Sequence, residues 1–285
     1  MKEYRAEILV DQKFQLSEGP VWEKETETLH FVDIKGCAIH RLCLPDGKRS
    51  TLELSQNIGC FALRKDGGYV AGLAAGVYHV SREGDSFEKL PQPEFDPMTR
   101  ANDGKCDPKG RFWCGTADLV GGAKRSKLYL LPGDGRCIQM MDGLECSNGL
   151  AFWEDKLYYI DSNRHRIDEY TVDEETLSLK DHRIVTEIPR GQMVPDGMTI
   201  DEEGMLWAAH WGGGFVGRYN PKDGQLLEKV MVPASQSSSC CFGGSDMQTL
   251  FITSASLGVP GETDAGKVFV VHLPYRGAES HRYIG

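Results

Sequence analysis

Asn148-Gly149-Leu150-Ala151-Phe152, followed by Leu157-Tyr158-Tyr159-Ile160-Asp161 and Ile167-Asp168-Glu169-Tyr170, decides how this chain folds. A polar residue and a Gly open an apolar run, a short turn follows, and two strands rich in Ile, Leu and Tyr complete the unit. Such short apolar and aromatic runs bounded by turn residues are β signals. The arrangement recurs upstream at Asp103-Gly104-Lys105-Cys106-Asp107 with Phe112-Trp113-Cys114, at Ile58-Gly59-Cys60-Phe61, and at Glu18-Gly19-Pro20-Val21-Trp22 with Phe31-Val32-Asp33. Downstream it recurs at Asp196-Gly197-Met198-Thr199-Ile200 with Leu206-Trp207, and at Phe242-Gly243-Gly244 with Leu250-Phe251-Ile252. The anchoring glycines, 19, 59, 104, 149, 197 and 243, lie 40, 45, 45, 48 and 46 residues apart. Four-stranded repeats of that period stack radially as the blades of a propeller. Six units predict an all-β, six-bladed β-propeller, with residues 1–285 as a single domain. A strand from Tyr4 to Val10 is expected to complete the last blade and close the ring. Arg82 to Arg100 reads as an outer strand plus a loop.

Composition agrees with this and narrows the partners. Gly accounts for 33 of 285 residues, which suits a chain with many turns. The formal net charge of −10 lacks the basic footprint that nucleic-acid binding needs, so no nucleic-acid partner is expected. The apolar runs, such as Gly266 to Leu273, are too short to span a bilayer, and no apolar stretch follows the charged start, so neither a membrane nor a secretory signal is expected. The nine cysteines form no Cys-x-x-Cys pair. They read as reduced, mostly buried thiols of a cytoplasmic protein.

The first strand of each propeller blade lines the central channel, so equivalent positions of different blades converge on one axis. The residues before the anchoring glycines are Glu18, Ile58, Asp103, Asn148, Asp196 and Phe242. Four of them carry side-chain oxygens, and Asn102 adds another. Asp-Gly and Asn-Gly are ordinary turn pairs; their equivalence across blades is what makes the set informative. Oxygen ligands suit a hard divalent cation, which also relieves the repulsion among crowded carboxylates. His165 and His210 follow the second strands of their blades, where they could approach the channel mouth, and Trp211 and Phe242 could wall it. No Gly-x-Ser-x-Gly elbow is present, so a serine hydrolase of that kind has no support.

Ser17-Glu18-Gly19-Pro20-Val21-Trp22, Phe31-Val32-Asp33-Ile34, Arg100-Ala101-Asn102-Asp103-Gly104-Lys105, Ser147-Asn148-Gly149-Leu150, Tyr159-Ile160-Asp161-Ser162, Pro195-Asp196-Gly197-Met198 and Ser239-Cys240-Cys241-Phe242-Gly243-Gly244 stand in that order along the chain. Together they resemble the gluconolactonase/regucalcin family, also known for senescence marker protein and luciferin-regenerating enzyme. The resemblance implies a six-bladed propeller holding one divalent cation on Glu18, Asn148 and Asp196, with Arg100 and Asn102 contacting a sugar lactone. Ca²⁺ is the first choice of cation, with Zn²⁺, Mg²⁺ or Mn²⁺ as alternatives. The implied activity is metal-dependent opening of aldonolactones such as gluconolactone. Where related chains place an acidic substrate contact, this one has Val120, and the nearest acid is Asp118.

Opening a lactone needs a polarised carbonyl and an activated water, both of which a cation assists. Asp196 is the chosen general base, and Asp103, at the same pre-Gly position of its own blade, is the alternative. Two readings from other classes stay open: a calcium-binding interaction platform, and a metal-dependent hydrolase of another ester or of phosphotriesters.

Overall fold

A computed structural model describes residues 1–92, 95–191 and 193–285. Its strands form six sheets in chain order. The first blade comprises Ser17–Glu23, Thr28–Asp33, Ala38–Cys43 and Arg49–Glu53. The second comprises Ile58–Leu63, Tyr69–Leu73, Gly76–Val80 and Phe87–Lys89. Thr99–Cys106, Phe112–Asp118, Ser126–Leu131 and Ile138–Leu144 form the third. The fourth is built from Ser147–Trp153, Lys156–Asp161, Arg166–Asp173 and Ser178–Glu187. The fifth has Val194–Ile200, Leu206–Trp211, Phe215–Tyr219 and Leu226–Met231. Ser237–Gly243, Thr249–Ser254 and Val268–His272 make the sixth, to which Glu7–Val10 adds the outer strand. The protein is an all-β six-bladed β-propeller, as the repeat spacing predicts. Among the described residues the only helical pieces are two short 3-10 turns.

One detail departs from the sequence reading. The N-terminal segment is two strands rather than one. Glu7–Val10 pairs antiparallel with Val268–His272 and closes the ring as expected, but Lys2–Arg5 pairs parallel with the outer strand of the fifth blade. Ala6, buried between them, marks the crossover. The segment 82–100 does contain the outer strand Phe87–Lys89 and a loop, of which residues 93 and 94 lie outside the described residues.

Burial follows position in the blade. Ile58–Leu63 and Ser237–Gly243 are buried throughout, because each inner strand is covered by the neighbouring blades on both faces. The outer strand Arg49–Glu53 is exposed at all but Leu52. Aromatic rings fill the wedges between blades. Trp22 stacks on Phe251 at 5.4 Å, joining the first and sixth sheets, and Trp207 meets Phe242 edge-on at 5.5 Å, joining the fifth and sixth.

Two turns show how polar groups are satisfied beneath this core. In Asp107-Pro108-Lys109-Gly110-Arg111-Phe112-Trp113 the Asp carboxylate accepts from the Trp113 indole at 2.9 Å and the Arg111 guanidinium at 2.6 Å. The fifth blade repeats the device: Asp201 accepts from Trp207 Nε1 and Arg218 Nε, both at 2.9 Å, and from the backbone amides of Glu203 and Met205.

Candidate functional site

Every inner strand carries a bulge at the same level of the channel. In the first blade Glu18 pairs with Val32 and Val21 with His30, so Gly19 and Pro20 share the position opposite Phe31. In the fourth, Asn148 pairs with Ile160 and Leu150 with Tyr159, leaving Gly149. In the fifth, Pro195 pairs with His210 and Met198 with Ala208, so Asp196 and Gly197 share one partner position. A bulge bends the strand and re-aims its side chains, which is why the polar residues sit beside these glycines. Close approach makes two of the glycines obligatory: a Cβ on Gly149 would lie 2.5 Å from the Asp196 carbonyl oxygen, and one on Gly197 would lie 2.1 Å from Ser239 Oγ.

The sixth blade corrects the sequence reading. Its bulge falls between Ser237 and Ser239, so Ser238 rather than Phe242 occupies the equivalent position. Phe242 lies at the other end of that strand, buried against Trp207, and does not wall the channel. His210 is likewise displaced from the mouth: it is fully buried, bonded to the Tyr219 hydroxyl at 2.8 Å and stacked on Phe215. His165 is half-buried and follows the 3-10 turn Ser162–Arg164. Trp211 is half-buried and packs on a cluster that includes Leu16 and Ile58.

The structure brings Glu18, Arg100, Asn102, Asp103, Asn148 and Asp196 to this level. All but Arg100 are at most 9% exposed. Asn148 donates from Nδ2 to Ser162 Oγ at 2.9 Å, and Ser162 donates onward to the Pro195 carbonyl at 2.8 Å. That chain turns the amide so that Asn148 Oδ1 is left buried with no protein partner, and Asp196 Oδ1 is in the same condition. Two orphaned buried oxygens beside the buried Glu18 carboxylate fit a hard cation, because an unsatisfied buried acceptor otherwise carries a desolvation penalty. Among the described residues no three His, Cys, Asp or Glu side chains converge to hold a metal by themselves. The candidate set is therefore two carboxylates and an amide.

Electrostatics point the same way. Burial, and then the nearby Asp103 carboxylate, pushes Glu18 from 4.5 to about 8 in the metal-free protein. Burial, Glu18 and Asp103 together push Asp196 well above the usual range, and burial raises Asp103. A carboxyl whose folded-state pKa is raised favours the folded protein at low pH, and that contribution disappears as pH rises through the folded value. Metal-free protein is therefore expected to melt at a lower temperature at pH 8.5 than at pH 5.5, with added cation stabilising it most at the alkaline end. Thermal melts across that range, with EDTA or with Ca²⁺, check this; a cation effect independent of pH would contradict it.

Arg100 and Asn102 work as a pair. Arg100 Nη1 donates to Asn102 Oδ1 at 2.7 Å and to the Ala101 carbonyl at 2.8 Å, while Asn102 Nδ2 donates to the Ser147 carbonyl at 2.9 Å. Asn102 thus aims the guanidinium, whose Nε is buried without a protein partner. Asp118 is not brought into the cluster. It ends the second strand of its blade, and its oxygens accept from the amides of Val120, Gly121 and Ala123.

Two features escaped the sequence reading. Ser162 belongs to a quoted motif, yet nothing in its spacing announces that it orients Asn148. The other is the tail, residues 274–285, which straps the face where the inner strands end. Its Gly277 and Ala278 amides donate to Met247 and Ile200 of the sixth and fifth blades, and its Tyr283 and Ile284 amides to Leu63 and Gly110 of the second and third. Beneath it, Asp103, Lys105, Thr199, Ser239 and the tail's His281 line a cavity of about 40 Å³. The Lys105 ammonium there donates to the Met198 carbonyl at 2.6 Å.

With this geometry in view, the comparison with known proteins is decisive: the profile of the SMP-30/Gluconolactonase/LRE-like region matches residues 16–256. The chain belongs to that family. Regucalcin of Danio rerio is 34% identical over all of both chains. The 6-deoxy-6-sulfogluconolactonase of Pseudomonas putida is 36% identical, over 87% of this chain and 86% of its own. A solved regucalcin of Agrobacterium tumefaciens, described as a calcium-binding protein, superimposes with a TM-score of 0.92 at 22% identity, covering 99% of this chain and 98% of its own. That last likeness speaks to the fold. The family match spans all six inner-strand bulges.

Proposed function

We propose that this protein is a cation-dependent lactonase that opens sugar lactones to the corresponding hydroxy acids. The observation that carries this reading is the pair of orphaned buried oxygens, Asn148 Oδ1 and Asp196 Oδ1, set beside Glu18 and an Arg100 with an unused buried N–H. The similarity to a sulfogluconolactonase supports it. Glu18, Asn148 and Asp196 would hold the cation, with Ca²⁺ the first choice because every donor is oxygen. Bound there, a divalent cation supplies Lewis acidity, which polarises an ester carbonyl and acidifies water.

The chain's own groups do the rest. Arg100, held by Asn102, presents a permanent positive charge to the carbonyl side of the lactone and stabilises the oxygen that gains charge as the carbonyl is attacked. Asp196 accepts the proton of the attacking water as the new C–O bond forms. It returns that proton to the ring oxygen as the endocyclic C–O bond breaks. Asp103, on the tail side of the cluster, is the alternative acceptor.

The test is a lactone panel, including glucono-1,5-lactone, assayed with and without EDTA. Turnover should vanish on chelation and return when Ca²⁺, Mg²⁺, Mn²⁺ or Zn²⁺ is supplied. EDTA-insensitive turnover would remove the cation from the reaction. Arg100→Ala should keep its cation and lose about 10²-fold or more in kcat, the usual effect of deleting one oxyanion donor. Wild-type turnover in that variant would reassign Arg100.

A further inference from the structure

Arg100 also lines a recess of about 390 Å³ formed by residues of the second and third blades and the segment that joins them. This is the size range of small-molecule sites, about 300–1,000 Å³. Among the described residues, Ala74, Ala75, Phe95, Pro97 and Leu119 supply its apolar walls, and Arg100 forms part of its lining. Phe95 is a rigid wall, stacked on Tyr129 at 5.4 Å with the rings 10° from parallel. The rim is apolar as well. Leu119 is 54% exposed, Val120 65% and Met98 41%, and the Leu119 amide donates to the Met98 carbonyl at 2.9 Å, so these side chains are carried by two adjoining segments. No carboxylate is offered from the 118–123 loop, because both oxygens of Asp118 are taken up by backbone amides. Lys89 and Asp96, both exposed, are the charged groups that line the recess beside Arg100.

We propose that this recess seats an apolar arm of the substrate, so that the site, besides opening sugar lactones, takes lactones bearing an alkyl or aryl substituent and binds them more tightly as that substituent grows. The inference deepens the lactonase reading and rests on it. One end of such a molecule is held by the Arg100 guanidinium; the other covers Phe95, Pro97 and Leu119, removing apolar surface from water on both partners. Arg100 belongs both to the lining of the recess and to the channel cluster, which places the two side by side.

The experiment is a homologous series on the Ca²⁺-loaded protein: δ-valerolactone, δ-hexalactone, δ-octalactone and δ-decalactone. KM should fall by up to about fourfold for each methylene added, the value of one buried CH₂, with kcat changing by less than about twofold. Leu119→Asp should flatten that KM series, keep its cation, and turn over unsubstituted δ-valerolactone as the wild type does. A flat series in the wild type overturns the inference, as does an unchanged slope in Leu119→Asp. Absence of turnover on every lactone, glucono-1,5-lactone included, instead removes the lactonase reading and this inference with it.

Discussion

Asp196→Ala is expected to lose its divalent cation and at least about 10²-fold of lactone turnover, the lower end of what general-base removal alone costs. The side chain is 5% exposed and one of its oxygens has no protein partner, so the deletion leaves Asn148 Oδ1 and Glu18 facing a gap. Metal analysis after gel filtration reads the first effect and steady-state kinetics the second. Asp196→Asn separates the two roles. An amide oxygen can still ligate but cannot take a proton, so the variant should keep measurable cation and still lose about 10²-fold in kcat. Full metal occupancy in Asp196→Ala would sink the ligand assignment. Near-normal turnover in a loaded Asp196→Asn would transfer proton removal to Asp103.

The largest effect on stability is expected far from the channel. Asp201 is fully buried and accepts from Trp207, Arg218 and two backbone amides. Arg218 is itself only 5% exposed; its other carboxylate partner, Glu203, has a largely solvent-exposed side chain. Asp201→Ala therefore strands a buried cation and an indole N–H. Breaking a buried pair by removing one partner costs about 3–5 kcal/mol, and a chain of this size should lose on the order of 10 °C in Tm. Asp201→Asn, which keeps acceptors for the indole and amides, should lose less. An Asp201→Ala protein that melts with the wild type would show that the turn contributes nothing.

Asp201 also illustrates what could be read in advance. Asp-x-x-Gly and the Trp that follows are local, so their meaning survives in the linear chain. The same holds for Glu18, Asn148 and Asp196, since each precedes a Gly: Gly149 and Gly197 let a neighbouring strand come within contact distance, and Gly19 takes a positive φ of 49°. The sixth repeat failed because its bulge is built on Ser237-Ser238-Ser239, where no Gly marks it, while Gly243 supplied a decoy at the opposite end of the strand. That decoy points Phe242 into the channel, whereas it belongs to the core. The tail was illegible for a different reason. It makes scattered backbone hydrogen bonds to four blades, and such bonds leave no periodic trace in residue type. The resemblance makes Asn102 a substrate contact; that its amide is also engaged by Arg100 and Ser147 is visible only in the folded chain.

The outer strand of the last blade comes from Glu7–Val10 and pairs with Val268–His272, so the ring is closed by segments some 260 residues apart. On the ribosome this has a cost in time. Five blades' worth of chain can emerge while the strand that will seal them waits with its backbone groups unpaired. The last contacts form only when nearly the whole polypeptide has been synthesised. Contacts of such sequence separation slow folding, and open sheet edges invite pairing with other chains. The nascent chain thus carries an open sheet edge until its final blade arrives, and expression yield is expected to respond more to added chaperone than to the stability of the finished ring.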